Sequence, residues 1–238
     1  MSIKNYIKKL IKKIPVGLSK NHQYDIDTRK IIQKTLLNDS NAIDIGCHEG
    51  EILDYFLKYA PCGQHYAFEP LPHLYKNLTS KYTKRAHLFP HALSNKEGTT
   101  TFQHVKSNPA YSGLKKRKYD RTTEEVIEIT VDQTKLDEMI PDDIRIDLIK
   151  IDVEGGEYLV LSGSNRILIK DKPVLIFEHG KGGADCYGVT PDMLFDLLER
   201  YHYNIYNLRS FLKEKRIIDK AEFIRQYEQE DHYYFVAS

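Results

Sequence analysis

The chain has 238 residues, a length suited to one large domain rather than several. With 41% hydrophobic and 29% charged residues, 13 Gly and 9 Pro, its composition excludes disordered, collagen-like and low-complexity classes. A formal net charge of +1 lacks the basic excess of a nucleic-acid binder, and no apolar run approaches the roughly 18 residues of a membrane span. The three cysteines, Cys47, Cys62 and Cys186, have no Cys-x-x-Cys spacing, which argues against a disulfide framework or a cysteine zinc site and fits a reducing cytoplasm.

The charge is segregated. Residues 1–24 hold six Lys and no carboxylate, leaving 29 basic and 34 acidic residues for the rest. Ile3, Ile7, Leu10, Ile11 and Ile14 share one helical face opposite the lysines, so the pattern predicts a basic amphipathic helix over 2–14, stopped by Pro15. Lys residues interrupt it too often for a secretory signal. Its apolar stripe would pack on the domain or a partner subunit, or lie on an anionic membrane surface. The expected organisation is therefore an appendage at 1–24 and a single domain at 25–238.

Within that domain a helix is expected around 28–37, then a strand at 42–45, a helix at 51–59, a strand at 65–68 and a helix at 72–81. Strand-like pieces follow at 86–89, 99–102, 126–131, 148–153 and 174–177. A helix begins at Glu157, another runs over 191–200, and short strands near 203–206 and 233–236 finish the chain. Strands of four to six residues alternating with helices predict βαβ crossovers and an α/β fold with a mostly parallel sheet, which binds ligands outside the carboxyl ends of its strands.

Those ends carry the chemistry. The first reads Asp44-Ile45-Gly46-Cys47-His48-Glu49-Gly50, a glycine turn without the G-x-G-x-x-G of a dinucleotide site and with Glu49 opposing a phosphate. The second ends in Glu69-Pro70, where a carboxylate can accept both hydroxyls of a ribose. The strand at 148–153 ends in Asp152-Val153-Glu154-Gly155-Gly156-Glu157, and that at 174–177 is followed by Glu178-His179-Gly180. Glu154 and Glu157 also suit capping of the helix that starts there, and Lys150 suits an ion pair with a neighbouring carboxylate. Asp152 with Glu178 and His179 is a donor set a Mg²⁺ or Mn²⁺ ion would accept, although the spacing does not demand one and no metal is assigned. The glycine-rich segment 180–190 reads as a flexible acceptor lid, with 108–113 and the basic run Lys115–Lys118 as a second loop.

The series Asp44 to Gly50, Ala67-Phe68-Glu69-Pro70-Leu71-Pro72, His91-Ala92-Leu93-Ser94, Thr134-Lys135-Leu136-Asp137 and Ile146 to Glu157 resembles the FkbM family of S-adenosylmethionine-dependent methyltransferases over roughly residues 40–180. The resemblance implies a class I, Rossmann-like seven-stranded sheet ending in an antiparallel hairpin, and methyl transfer to a hydroxyl of a saccharide, glycolipid intermediate or secondary metabolite. It implies that Asp44, Gly46, His48 and Gly50 line the methionine part of the cofactor, and that Glu69 beside Pro70 holds the ribose. Ala92, Leu93 and Ser94 would flank the adenine and Ser112 would approach the cofactor. Asp152, Glu154, Glu178 and His179 are the candidates to orient the acceptor hydroxyl and take its proton. His48-Glu49 departs from the family pattern, which leaves the role of His48 open. The rival expectations are a nicotinamide-dependent oxidoreductase and an inactive scaffold that has kept the fold.

Overall fold

The computed structural model describes residues 19–117, 124–213 and 216–238. The helix expected over 2–14 lies outside the described residues, as does Lys118. Helix α1 (Lys20–Thr35) begins well ahead of Thr28, because Ser19 accepts the backbone N–H of His22 at 3.2 Å and caps it. Next come β1 (Ala42–Ile45), α2 (Glu51–Tyr59), β2 (His65–Phe68), α3 (Pro72–Tyr82), β3 (His87–Phe89), β4 (His91–Leu93), β5 (Gly98–Val105) and β6 (Val126–Thr134). The chain continues through α4 (Leu136–Met139), β7 (Leu148–Ile151), α5 (Glu157–Ser162), α6 (Asn165–Lys170), β8 (Val174–Glu178) and α7 (Pro191–Arg200). It closes with β9 (Ile205–Asn207), α8 (Leu208–Lys213), α9 (Lys220–Glu228) and β10 (Tyr234–Ala237). Among the described residues no helix is long and apolar enough to cross a membrane.

Seven strands form one sheet in the order β3-β2-β1-β7-β8-β10-β9. The first five are mutually parallel, and β10 runs antiparallel to both of its neighbours. The last two strands pair antiparallel as expected, Phe235 opposite Asn207, but α8 and α9 lie between them in sequence, so they are not a tight hairpin.

The pieces expected at 99–102 and 126–131 do not join this sheet. They lengthen into β5 and β6 and, with β4, make a second, three-stranded sheet in the order β4-β6-β5. The reason lies in their side chains: β1, β2 and β7 are buried at every position, whereas the Thr-rich β5 is largely exposed over its first four residues and the alternating β6 buries only two of its nine. Only uniformly apolar strands suit a sheet covered on both faces.

Strand alternation divides the core. Ile43, Ile45, Ile149, Ile151, Leu175 and Phe177 face one helical layer, with Val160, Leu161, Leu194 and Leu198. Ala42, Leu148 and Ile176 face the other, with Ile31, Ile32, Leu53 and Phe56. Asp44 and Lys150 share the parity of this second set, where they replace apolar residues at the carboxyl edge. The 180–190 segment is not a free lid: it winds into a 3₁₀ turn at Ala184–Tyr187, and Ala184 and Val189 pack against Tyr227.

The tightest point is the turn after β1. Gly46 has φ +76°, and a Cβ there would lie 1.9 Å from the carbonyl oxygen of Asp152. Gly46→Ala is expected to lower unfolding stability by about 2–4 kcal/mol, combining left-handed strain with a backbone clash, measured by urea denaturation against the wild type.

Candidate active site

Parallel register levels the strand ends. Ile45 pairs with Phe68 on one side and Ile151 on the other, and Ile151 pairs with Phe177, so four turns leave the sheet side by side. A cavity of about 520 Å³ opens above them. Ten of the expected site residues line it: Asp44, Gly46, His48, Glu69, Pro70, Ala92, Leu93, Ser112, Asp152 and Glu154. Helix α1 adds a wall through Tyr24, Ile26, Thr28 and Arg29, a contribution that no motif foretold.

The first two turns are tied together by one carboxylate. Gly46 and Cys47 donate their backbone N–H groups to the carbonyl of Phe68, at 3.0 and 3.1 Å. Glu69 then accepts the N–H of His48 on Oε2 at 2.9 Å and the N–H of Leu71 on Oε1 at 3.0 Å. Each oxygen keeps a second lone pair for a ligand hydroxyl. Burial pushes the carboxyl up to about 7 despite those two amide bonds. Asp44 stands directly beside Lys150 in the β1–β7 register. It is 1% exposed, with Oδ2 lacking a protein partner. Burial also raises it to about 7, against the pull of Lys150 and with Asp152 and Glu69 adding to the rise.

At the third turn stands Asp152. Asp152 accepts a hydrogen bond from Lys150 Nζ at 2.9 Å and another from the hydroxyl of Tyr234, both on Oδ2. Its side chain keeps 28% of its surface open. Burial alone would raise this carboxyl, but Lys150 and Tyr234 outweigh it and hold Asp152 below the ordinary range. Its neighbour Glu178 goes the other way, pushed well up by burial and then by the charge on Asp152. Glu178 therefore holds the proton of the pair and shares it with the ionised Asp152. Glu154 forms an ion pair with Arg117, whose guanidinium lies 5.1 Å from the centre of the Tyr111 ring.

Other expected residues stand back from the cavity. Gly50 faces Tyr82, whose hydroxyl donates to its carbonyl at 2.6 Å. Ser94 is buried against Gly163, where an added Cβ would meet its carbonyl at 2.2 Å. His179 is 1% exposed and stacks between Phe223 and Tyr227, with ring centres 5.7 and 5.0 Å away; burial lowers it to about 4. Glu157 caps the turn it follows, accepting the N–H groups of Val153 and Gly155 on Oε1, both at 3.1 Å.

One carboxylate oxygen each from Asp152, Glu154 and Glu178 lies within 4.8 Å of the others, a spacing a divalent cation could use. Lys150 and Arg117 already place positive charge on two of the three. Two further residues complete this arrangement: Tyr234, which arrives from β10, and Arg117, from the basic run of the second loop. Neither had a signal before the chain was folded, because Tyr234 is 82 positions from Asp152 and Arg117 lies in a loop.

A family profile described as the methyltransferase FkbM domain matches residues 44–215. No curated protein shows significant sequence similarity to the chain. Among solved structures, the chain is similar to the methyltransferase FkbM of Methylobacillus flagellatus KT, with TM-score 0.52 and 16% identity over 85% of this chain. The match covers 44% of that protein, so the chain spans less than half its length. A TehB-like SAM-dependent methyltransferase of Corynebacterium glutamicum has TM-score 0.44 at 13% identity, covering 98% of this chain and 95% of its own. An rRNA methylase of Streptococcus thermophilus has TM-score 0.43 at 10% identity, covering 93% and 96%. At these identities the likeness is one of fold, the class I methyltransferase sheet.

The raised Asp44 carboxyl fixes a pH dependence. Folded, it holds its proton to about pH 7, while in the unfolded chain it ionises near 4. Its contribution is thus full below about pH 4 and is lost as the pH rises toward 7. Asp44→Asn should gain stability over the wild type on going from about pH 5 to pH 7, on the order of 1.4 kcal/mol per unit, read from urea unfolding at each pH.

Proposed function

The chain belongs to the methyltransferase FkbM domain family, and on that premise we propose that it transfers the methyl group of S-adenosylmethionine to a hydroxyl oxygen of a saccharide or glycolipid acceptor. The observation that carries the cofactor assignment is electrostatic. Seven carboxylate residues line the 520 Å³ cavity against two cations, Arg29 and Lys150, and one of the carboxylates, Asp44, has a buried oxygen without a partner. Such a lining attracts an ammonium and a sulfonium and repels a diphosphate, which speaks against a nicotinamide dinucleotide.

In this reading Asp44 and the Gly46 turn take the amino-acid end of the cofactor. Glu69 takes the ribose hydroxyls on its two spare lone pairs, and Ala92 and Leu93 supply apolar surface for the base. When bound, S-adenosylmethionine would supply a methyl carbon on a sulfonium, whose carbon–sulfur electron pair would stay with sulfur as the acceptor oxygen takes the carbon. Asp152 orients the acceptor hydroxyl and takes its proton. Lys150 and Tyr234 keep that carboxylate charged and aimed, and Glu178, already protonated, leaves it as the accepting member of the pair.

Calorimetry should give micromolar binding of S-adenosylhomocysteine and none of NADH. Glu69→Ala should weaken the former about 10- to 100-fold, the worth of hydrogen bonds to a charged group, and Gly46→Arg should abolish it by filling the turn. Absence of binding by the wild type would overturn the cofactor assignment. Asp152→Asn should keep the S-adenosylhomocysteine affinity and lose about 10²- to 10⁴-fold in methyl transfer, followed as S-adenosylhomocysteine released. Unchanged turnover would remove Asp152 from the mechanism and leave the cofactor site standing.

A further inference from the structure

A second cavity, of about 370 Å³, lies beyond the first on the side of α9 and β10. The two cavities have three lining residues in common, Asp152, Glu154 and Tyr234. The passage between them is therefore framed by the carboxylate already assigned to the acceptor's proton. In-line displacement needs its two reactants on opposite sides of the transferred carbon, and these cavities meet at that group.

The second cavity has its own chemistry. Tyr111, Tyr227, Tyr233 and Tyr234 give it aromatic walls, and Asp152, Glu154, Glu178 and Glu230 give it hydrogen-bond acceptors. Its two basic side chains are engaged with carboxylates. Arg117 pairs with Glu154, and Lys181 pairs with Glu228 at 2.7 Å and donates to the Glu228 carbonyl at 2.8 Å. His232, whose proton affinity burial lowers, adds no charge at neutral pH. Flat aromatic surface beside carboxylates matches a ring with apolar C–H faces and donating hydroxyls around its edge. A carboxylate or phosphate on that ring would meet the charges of Glu230 and Asp152.

We infer that this second cavity is the acceptor subsite, and that it admits an uncharged polyhydroxylated ring and rejects an acidic one. The inference rests on the first cavity holding the methyl donor. It adds where the acceptor sits, which walls select it and what charge it bears.

The test separates the two assignments. Wild-type protein saturated with S-adenosylhomocysteine is titrated with methyl α-D-mannopyranoside, methyl α-D-glucopyranoside and sodium glucuronate, with contact read by saturation-transfer NMR. The neutral glycosides should show transfer and glucuronate none. Tyr233→Ala should cut the neutral signal about five- to tenfold, the loss of one stacked wall. Glu230→Lys, at an exposed position that cannot upset the core, should let glucuronate in. S-adenosylhomocysteine affinity should stay at its wild-type value in both variants. Equal signals from glucuronate and the glycosides, no signal from either glycoside, or variants that leave the selectivity unchanged would overturn the subsite while the donor site stands. Failure of the wild type to bind S-adenosylhomocysteine would instead remove the premise.

Discussion

Everything at this site depends on how a parallel sheet ends. Parallel strands in register must all turn at the same level, and in this chain Ile45, Phe68, Ile151 and Phe177 form that row. The strands are too short to carry chemistry in their interiors, which are filled with Ile, Leu, Val and Phe for packing. Apart from His65 at the start of β2, polar residues enter these strands toward the carboxyl edge, where the side-chain ladder reaches water. Asp44, Glu69, Asp152 and Glu178 occupy that edge, one on each of four neighbouring strands or its turn.

Gathering four carboxylates in one poorly solvated space is electrostatically expensive, and the fold divides the expense unevenly. Glu69 is satisfied by two amide donors, Asp152 by a lysine and a tyrosine, and Glu178 by keeping its proton. Asp44 has the neighbouring lysine, one strand away, and one backbone N–H, that of Leu53, to set against its burial. The least compensated group thus faces the cavity, and a cation arriving there supplies what the protein leaves out.

Much of this was legible in the residues. The strand–turn–helix rhythm gave β1, β2, β7 and β8 nearly at their true limits, because a short run of β-branched and aromatic residues followed by Gly or Glu-Pro has few other foldings. Gly46 and Glu69 were legible for the same local reason. What escaped was non-local. The periodicity of β5 and β6 reads as strand but does not say which sheet they join; their exposed faces decide that only once partners are known. His179 beside Glu178 looks like a polar pair in sequence, yet strand alternation sends the two side chains to opposite sides, and the histidine ends between aromatic rings. Tyr234 reaches Asp152 only because β10 is inserted backwards between β8 and β9.

That insertion sets an order of assembly. Of the ten described strands β10 is the last to leave the ribosome, yet it occupies an interior position in the sheet, and β9 has no other strand beside it. A growing chain can fold the glycine turn, the Glu69 tie and the Asp152 turn from segments already made. Until residues 234–237 emerge, the edge of β8 stays open and Asp152 lacks its tyrosine. A chain cut short before residue 234 would keep the glycine turn and the Glu69 tie but lack the tyrosine hydroxyl that donates to Asp152.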